Sequence, residues 1–188
     1  MFPARMLAFV VALLATAPCA LAQDAAAPAP DWSTAVQTAV TQDPELTTLT
    51  PTDVTDYCPN YASLDPAGRG AFWSALLQQV AMAESGGDAS RTHWLAFDGV
   101  MHRPTFRRGL FQISIEAAHS DRYNCAVSSG QELTTPTVNA ACAARILDAS
   151  VNTANAIAGA GRYWPSLAHA DRRARIAAVI AAAAPCSG

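Results

Sequence analysis

The sequence predicts a mainly α domain with one small β-hairpin, stapled by disulfides. Three observations lead to this fold class. The chain has 188 residues, of which 51% are hydrophobic and 14% charged, and much of the apolar content is alanine, the residue with the highest helix propensity. Several acceptor–proline pairs mark helix starts, because proline is favoured at the first helical position. An even number of cysteines follows a predicted export signal, which indicates disulfides.

Residues 1–22 have the features of a secretory signal peptide. Arg5 supplies the positive charge, Met6 to Ala17 form an apolar core, and Ala20-Leu21-Ala22 is a small-residue cleavage site. The core is short for a bilayer span, so an uncleaved anchor is the less favoured alternative. We therefore expect a bacterial protein that is periplasmic or secreted, with no stable membrane anchor after cleavage.

Residues 23–56 are rich in alanine, proline and threonine. The stretch from Gln23 to Pro30 is typical of a flexible linker, and Asp31 is a candidate N-cap for a short helix through Val40. We expect residues 23–56 to form a tether or a loosely packed arm, with the folded domain at 57–188.

The first helix of that domain is predicted to begin at Asp65-Pro66. Its apolar face, spaced as an α-helix requires, consists of Phe72, Leu76, Val80 and Ala83. Gly86-Gly87 is expected to end it.

A possible β-hairpin follows at His93 to Arg108, where Asp98-Gly99 is a turn signal between apolar runs. Four later helices are expected: one starting near Ser114, one starting at Thr135-Pro136, one at Asn152 to Ala158, and one at Ile176 to Ala184 capped by Asp171.

The predicted mature chain contains four cysteines, namely Cys58, Cys125, Cys142 and Cys186. We favour Cys125–Cys142, which closes a short loop, and Cys58–Cys186, which joins the two ends of the domain. The loop-entropy model gives roughly 3 kcal/mol for the first bond and nearer ~5 kcal/mol for the second. Other pairings remain open, and a zinc site is disfavoured because no Cys-x-x-Cys pair is present.

Charge and composition exclude several function classes. All twelve basic residues are arginine, so a Schiff-base lysine and a phosphate-binding loop lysine are absent. A formal net charge of -3 argues against a broad surface for nucleic acid. The four histidines show no metal-ligand spacing, and we expect neither a metal nor a cofactor.

Glu84 is the most informative residue for chemistry. It falls in the last turn of the predicted first helix, where a carboxylate faces the negative end of the helix dipole. Partial burial would add to the same effect, and an acid held in its protonated form is what a general acid at a glycosidic oxygen needs. A solvent-exposed glutamate without a role is the alternative.

A second signal is Gly109-Leu110-Phe111-Gln112, an apolar segment that contains a single amide. Burying an amide is costly unless it has a hydrogen-bond partner. A sugar hydroxyl or N-acetyl group could be that partner for Gln112, and so could the protein backbone.

Glu84-Ser85 at a helix end, followed downstream by Gly109-Leu110-Phe111-Gln112, resembles the lytic transglycosylases with a lysozyme-like catalytic domain. Asn139 and the run from Ala143 to Leu147 are similar to the next helix of that family. The likeness covers roughly residues 72–167. In place of the family's late Ala-Tyr-Asn-Ala-Gly motif this chain has Ala156 to Trp164, where Tyr163 is the candidate for the cleft tyrosine.

The resemblance implies an α+β lysozyme-like fold and a peptidoglycan glycan strand as the substrate. Glu84 would be the general acid and base that cleaves the β-1,4 bond between N-acetylmuramic acid and N-acetylglucosamine, with a 1,6-anhydro product. Ser85, the 109–112 segment and Tyr163 would contact the substrate.

Two alternatives stay open. A hydrolase needs a second carboxylate at a defined separation, for which Asp88, Asp98 and Glu116 are the candidates. A non-catalytic relative could instead bind wall glycan within an envelope or secretion assembly, which would then supply a protein partner. Three aromatic residues could stack on sugar rings or pack in the core: Trp94, Phe97 and Trp164.

Overall fold

The computed structural model describes residues 32–97 and 104–187. The predicted signal peptide, the stretch from Gln23 to Asp31 and the predicted Asp98-Gly99 turn lie outside the described residues. Within them the fold is mainly α with one small antiparallel sheet, as the sequence predicts. In chain order the elements are α1 (Trp32–Thr41), α2 (Pro44–Thr48), α3 (Pro66–Ser85), β1 (Thr92–Phe97), β2 (Pro104–Arg108), β3 (Ile113–Ser114), α4 (Ile115–Ala118), α5 (Pro136–Ala154), α6 (Pro165–Ala168) and α7 (Ala170–Ala181).

Helix α3 runs through the core and carries Glu84 near its end. It begins as predicted, because the Asp65 carboxylate accepts a hydrogen bond from the Gly68 amide at 2.7 Å and Pro66 follows the cap. Its inward face is fully buried and consists of Phe72, Trp73, Leu76, Leu77, Val80 and Ala81. It ends at Gly86, whose φ of 71° closes the last turn.

The predicted arm differs from the structure over residues 32–56. Helix α1 packs against α3 and α5, and its Val36 is fully buried, as is Leu46 of α2. Asp53 then accepts hydrogen bonds from the amides of Ile157 and Ala158 at 2.7 and 2.9 Å. Residues 32–56 therefore belong to the folded domain, which does not begin at residue 57.

The sheet contains the predicted hairpin and one further short strand. Strand β1 pairs antiparallel with β2, and β2 pairs antiparallel with β3. A bulge at Leu95 shifts the β1–β2 register between Trp94 and Ala96. The turn between β2 and β3 is formed by residues 109–112. Arg91 links this turn to the end of α3, because its carbonyl accepts from Gln112 and its guanidinium donates to the Ser85 carbonyl.

The later helices agree with the sequence in part. Helix α4 begins after Ser114, and Pro136 stands in the first turn of α5, as expected. The separate helix predicted at 152–158 is wrong: α5 continues to Ala154 and ends at Asn155, which adopts a φ of 50°. Asparagine tolerates this left-handed conformation better than most residues, so it ends the helix before the glycines do.

The last helix also differs from its predicted bounds. Helix α7 spans Ala170–Ala181 with His169 at its N-cap, so it starts earlier than predicted and Asp171 lies in its first turn. The preceding short helix α6 was not predicted, although Pro165 at its start is a usable signal.

Both predicted disulfides are present. Cys58 joins Cys186 across a sequence separation of 128, and Cys125 joins Cys142 across a separation of 17. These bonds fit an extracytoplasmic protein. Among the described residues, every helix is too short or too polar to cross a bilayer.

Candidate active site

Glu84 lies in the last turn of α3 and is half-buried. Its Oε1 accepts a hydrogen bond from the backbone amide of Ser166 at 3.2 Å. The helix end and a segment 82 residues further along the chain therefore meet at this carboxyl group.

Ser85 fixes the end of α3. Its buried hydroxyl donates to the Ala81 carbonyl at 3.0 Å and accepts from the Gly87 amide at 3.1 Å. The hydroxyl is thus engaged within the protein, where it shapes the turn that follows Glu84. The predicted contact between Ser85 and substrate stays a prediction.

Gly109 opens the turn between β2 and β3 with a φ of 75°. A Cβ atom at this position would collide with the Leu133 carbonyl and would lie 2.7 Å from Cγ of Asn139. Only glycine meets both the conformational and the steric requirement.

Gln112 closes the same turn with a φ of 48° and is 4% exposed. Its amide Nε2 donates to the carbonyls of Arg91 at 3.1 Å and Gly109 at 2.8 Å. Of the two partners considered for this amide, the structure therefore shows the protein backbone. The side chain holds the turn against the loop that precedes β1.

Leu110 and Phe111 are fully buried, so their side chains belong to the core. The Phe111 amide donates to Oδ1 of Asn139 at 2.8 Å, and Nδ2 of Asn139 donates to the Arg108 carbonyl at 3.2 Å. Asn139 is itself fully buried in α5. The sequence indicated Asn139 only through its family resemblance, whereas the structure shows that it anchors the 109–112 turn.

Residues 163–166, which we call the bridging segment, contact the same turn. Tyr163 accepts a hydrogen bond at Oη from the Ser114 amide at 3.1 Å and donates to the Gln112 carbonyl at 3.4 Å. Burial raises the pKa of its phenol, and the Arg107 guanidinium lies 5.6 Å from its ring centre. The tyrosine therefore stays neutral near pH 7 and supports the end of the turn.

Trp164 provides the second contact of the bridging segment. It is 1% exposed, and its Nε1 donates to the Phe111 carbonyl at 2.9 Å. Two residues later, Ser166 reaches Glu84. The bridging segment thus links the predicted acid to the predicted cleft motif, a connection that neither motif indicates by itself.

The other candidate acids are outside this cluster of contacts, as far as the described residues show. Asp88 is exposed, and its Oδ1 accepts from the Ser90 amide at 2.8 Å and the Ser90 hydroxyl at 2.6 Å. These hydrogen bonds lower the pKa of Asp88. Glu116 is exposed in the first turn of α4, and Asp98 lies outside the described residues.

The aromatic residues that were predicted either to stack on sugar rings or to pack in the core lie in different environments. Trp94 is 52% exposed on β1, whereas Trp164 is buried. The side chain of Phe97 is outside the described part of the chain. Two cavities of the described residues lie away from Glu84: one of 650 Å³ among α1, α2 and α3, and one of 550 Å³ between α2 and α5.

No family model matches the chain, and no curated protein matches it. Solved structures of the Bdellovibrio protein DslA do match. The wild-type form has a TM-score of 0.74 and 31% identity over 82% of this chain and 90% of DslA. Two mutants with a single glutamate-to-glutamine change each have a TM-score of 0.75, at 31% and 30% identity. They cover 82% and 87% of this chain, and 90% and 94% of theirs. At this identity and coverage, the chain belongs to the same family as DslA.

Proposed function

We propose that this protein is an exported lytic transglycosylase that cleaves the glycan strands of peptidoglycan, with Glu84 as its general acid and base. The observation that carries the proposal is the placement of Glu84. Its half-buried carboxyl group stands at the end of α3 and is connected through the bridging segment to the 109–112 turn. A carboxylic acid held in position by the protein is what general-acid cleavage of a glycosidic bond requires.

The reaction needs one carboxyl group. Glu84 donates its proton to the oxygen between N-acetylmuramic acid and N-acetylglucosamine, and the bond from that oxygen to the anomeric carbon breaks. The resulting carboxylate accepts the proton of the muramoyl C6 hydroxyl while this oxygen bonds to the anomeric carbon. The products are a 1,6-anhydromuramoyl end and a free N-acetylglucosamine hydroxyl, and no water is consumed.

The chain's own residues hold the catalytic carboxyl group and its surroundings in position for this reaction. The Ser166 amide holds Oε1 of Glu84, which leaves Oε2 to carry the transferred proton. Ser85 and Gln112 support the site from within the protein.

A hydrolase of the lysozyme type is the second candidate. The specific observation in its favour is that DslA has been studied with glutamate-to-glutamine changes at two positions, and a hydrolase uses two carboxyl groups. In this chain Asp88 is the first acid to test as the base, since it lies four residues after Glu84.

We further propose that the protein works in the periplasm or after secretion, where its substrate is located. The two disulfides support an oxidising compartment. The expected partner is the peptidoglycan strand, and an envelope or secretion assembly is a possible protein partner.

Mass spectrometry of fragments released from purified sacculi tests the proposal. Wild-type protein is expected to release anhydromuropeptides, and Glu84→Gln is expected to release none, because the amide cannot donate the proton. Glu45→Gln is the matched control, since Glu45 is an exposed glutamate on α2.

Other product patterns would contradict the proposal in different ways. Reducing-end fragments that disappear in both Glu84→Gln and Asp88→Asn would establish the hydrolase. Sacculus binding without any release, unchanged by Glu84→Gln, would indicate a non-catalytic glycan-binding protein.

A further inference from the structure

We propose that Trp164 is a positioning residue for Glu84: its buried indole fixes the bridging segment so that the Ser166 amide holds the Glu84 carboxyl group. The inference rests on the proposed function for its catalytic consequence, but the geometry that it describes can be measured separately.

The first step of the argument is the anchoring of Trp164. Its indole N–H donates to the carbonyl of Phe111, and the amide of Phe111 donates to the buried side chain of Asn139. The rings of Phe111 and Trp164 are also close, with centroids 6.1 Å apart. Trp164 is therefore attached to a turn that is fixed from α5, and not to a free loop.

The second step is the short distance along the chain from Trp164 to Glu84. Pro165 follows the tryptophan and restricts the backbone dihedral φ, and Ser166 comes next with its amide directed at Oε1 of Glu84. Ser166 is completely buried, so water does not compete for this amide. A displacement of Trp164 would be transmitted to the carboxyl group through only two residues.

The third step is the burial of the Ser166 hydroxyl. Its Oγ is inaccessible and has no hydrogen-bond partner among the described residues. Leaving a buried hydroxyl unpaired is unfavourable, so this serine is not held in place by its own side chain. Its position next to Glu84 depends on the backbone of α6, which packs on α3 and α7 and which Tyr163 and Trp164 attach to the 109–112 turn.

The same contacts give Tyr163 a role different from the one that the family resemblance implies. The family resemblance implies that this tyrosine contacts the substrate, but its hydroxyl is bonded to Ser114 and Gln112. Tyr163 and Trp164 therefore attach the bridging segment to the turn at two adjacent points. This attachment directs the backbone amide of Ser166 at Glu84.

Trp164→Phe is the test variant, because it removes the indole N–H and keeps an aromatic ring. Trp73→Phe is the matched control: Trp73 is also fully buried with a single indole hydrogen bond, which it donates to Tyr61 at 2.9 Å, and it lies in α3 away from the bridging segment. Both variants lose one buried hydrogen bond, but only one of them should disturb Glu84.

The direct readout is the nuclear magnetic resonance signal of the Ser166 amide. Glu84→Ala removes the acceptor of this hydrogen bond, so it gives the reference shift for the loss of the bond. We expect the Ser166 signal of Trp164→Phe to move toward that reference, and that of Trp73→Phe to stay at the wild-type position. A Trp164→Phe signal unchanged from wild type would overturn the inference.

The kinetic readout is the release of soluble fragments from sacculi. A misplacement of about 1 Å can cost roughly a hundredfold in rate, so Trp164→Phe is expected to lower kcat by about tenfold to a hundredfold with little change in KM. Trp73→Phe should keep the wild-type kcat. Equal kcat values for the two folded variants would also overturn the inference.

A second variant covers the case in which Trp164→Phe does not fold. Tyr163→Phe removes only the hydroxyl that bonds Ser114 and Gln112, and it should move the Ser166 signal in the same direction. If wild-type protein cleaves nothing while these amide shifts occur, the proposed function fails and the positioning stands. If the wild type cleaves sacculi and neither variant moves the Ser166 signal, the positioning fails and the function stands.

Discussion

The backbone at Gly109 turns out of β2 into the candidate site under two separate constraints. Its φ of 75° costs any residue with a side chain about 1–2 kcal/mol. The carbonyl of Leu133 and the side chain of Asn139 also occupy the space that a Cβ would need. The sequence identified this glycine through its motif, but only the packing explains why it is required.

Gly109→Ala is expected to be much more destabilising than Gly86→Ala. Both glycines have a positive φ, but a Cβ at Gly86 would meet nothing within 4 Å. Gly86→Ala should therefore lose about 1–2 kcal/mol from strain alone, and Gly109→Ala about 1–3 kcal/mol more from overpacking. Chemical denaturation of the two variants measures the difference, and equal losses would contradict the steric explanation.

Single side chains also show where sequence reasoning reaches its limit. The position of Glu84 at a helix end followed from the apolar period and the two glycines after it, and the structure agrees. The partner of Gln112 could not be chosen from the sequence. Arg91 is 21 residues away, and any residue type has the backbone carbonyl that accepts this hydrogen bond. Backbone partners become visible only in the folded chain.

Between elements, the contact of α2 with α5 brings acidic groups together. Asp43 precedes α2 and Asp148 lies in α5, and both line the 550 Å³ cavity together with Glu45, Arg122 and Arg145. Burial raises the pKa of both aspartates above the ordinary 3.8, and the charge of Asp43 raises that of Asp148 further. Ionisation of these groups therefore opposes folding.

Asp148→Asn is expected to raise the melting temperature at pH 7. A carboxyl group with a raised pKa stabilises the fold only while it is protonated, so the wild type loses this contribution as pH rises from about 3.8. The amide keeps the acceptor for Asn152, which bonds Asp148 at 2.9 Å. Thermal melts at pH 7 and pH 3.5 should show a gain that disappears in acid.

Asp88→Asn is the control, because its effect on the melting temperature at pH 7 should have the opposite sign. The hydrogen bonds from Ser90 lower the pKa of Asp88, so its contribution is present above pH 3.8 and is lost on acidification. This variant should melt lower than the wild type at pH 7 and approach it at pH 3.5. A change of the same sign in Asp88→Asn and Asp148→Asn would contradict the assignment.

The elements themselves were predictable where local signals were strong. The starts of α3 and α5 followed from a capping residue and proline, and the β-hairpin from its apolar runs. The packing of α2 was missed because the stretch around it is rich in threonine and proline and has no clear hydrophobic period. The packing of α1 could have been predicted, since its buried residues recur at helical spacing: Trp32, Ala35, Val36, Ala39 and Val40.

Across the whole molecule, the two disulfides act on very different lengths of chain. Cys58–Cys186 spans 128 residues and Cys125–Cys142 spans 17. The pairing was predicted correctly because one bond closes a local loop and the other joins the ends of a domain, and that domain proves to include the helices before Cys58.

Removing the longer disulfide is expected to destabilise the protein more than removing the shorter one. The loop-entropy model gives about 5 kcal/mol for the double change Cys58→Ala and Cys186→Ala, and about 3 kcal/mol for Cys125→Ala and Cys142→Ala. Chemical denaturation of both double variants tests the order. A larger loss from the shorter bond would show that native-state contacts, and not the unfolded chain, determine the effect.

The bond between Cys58 and Cys186 also turns most of the folded chain into a closed covalent ring. Glu84 and Ser166 both lie within this ring. A single peptide bond cut by a protease anywhere inside it leaves every piece attached. Such a nick therefore keeps the acid and the amide that holds it on one molecule.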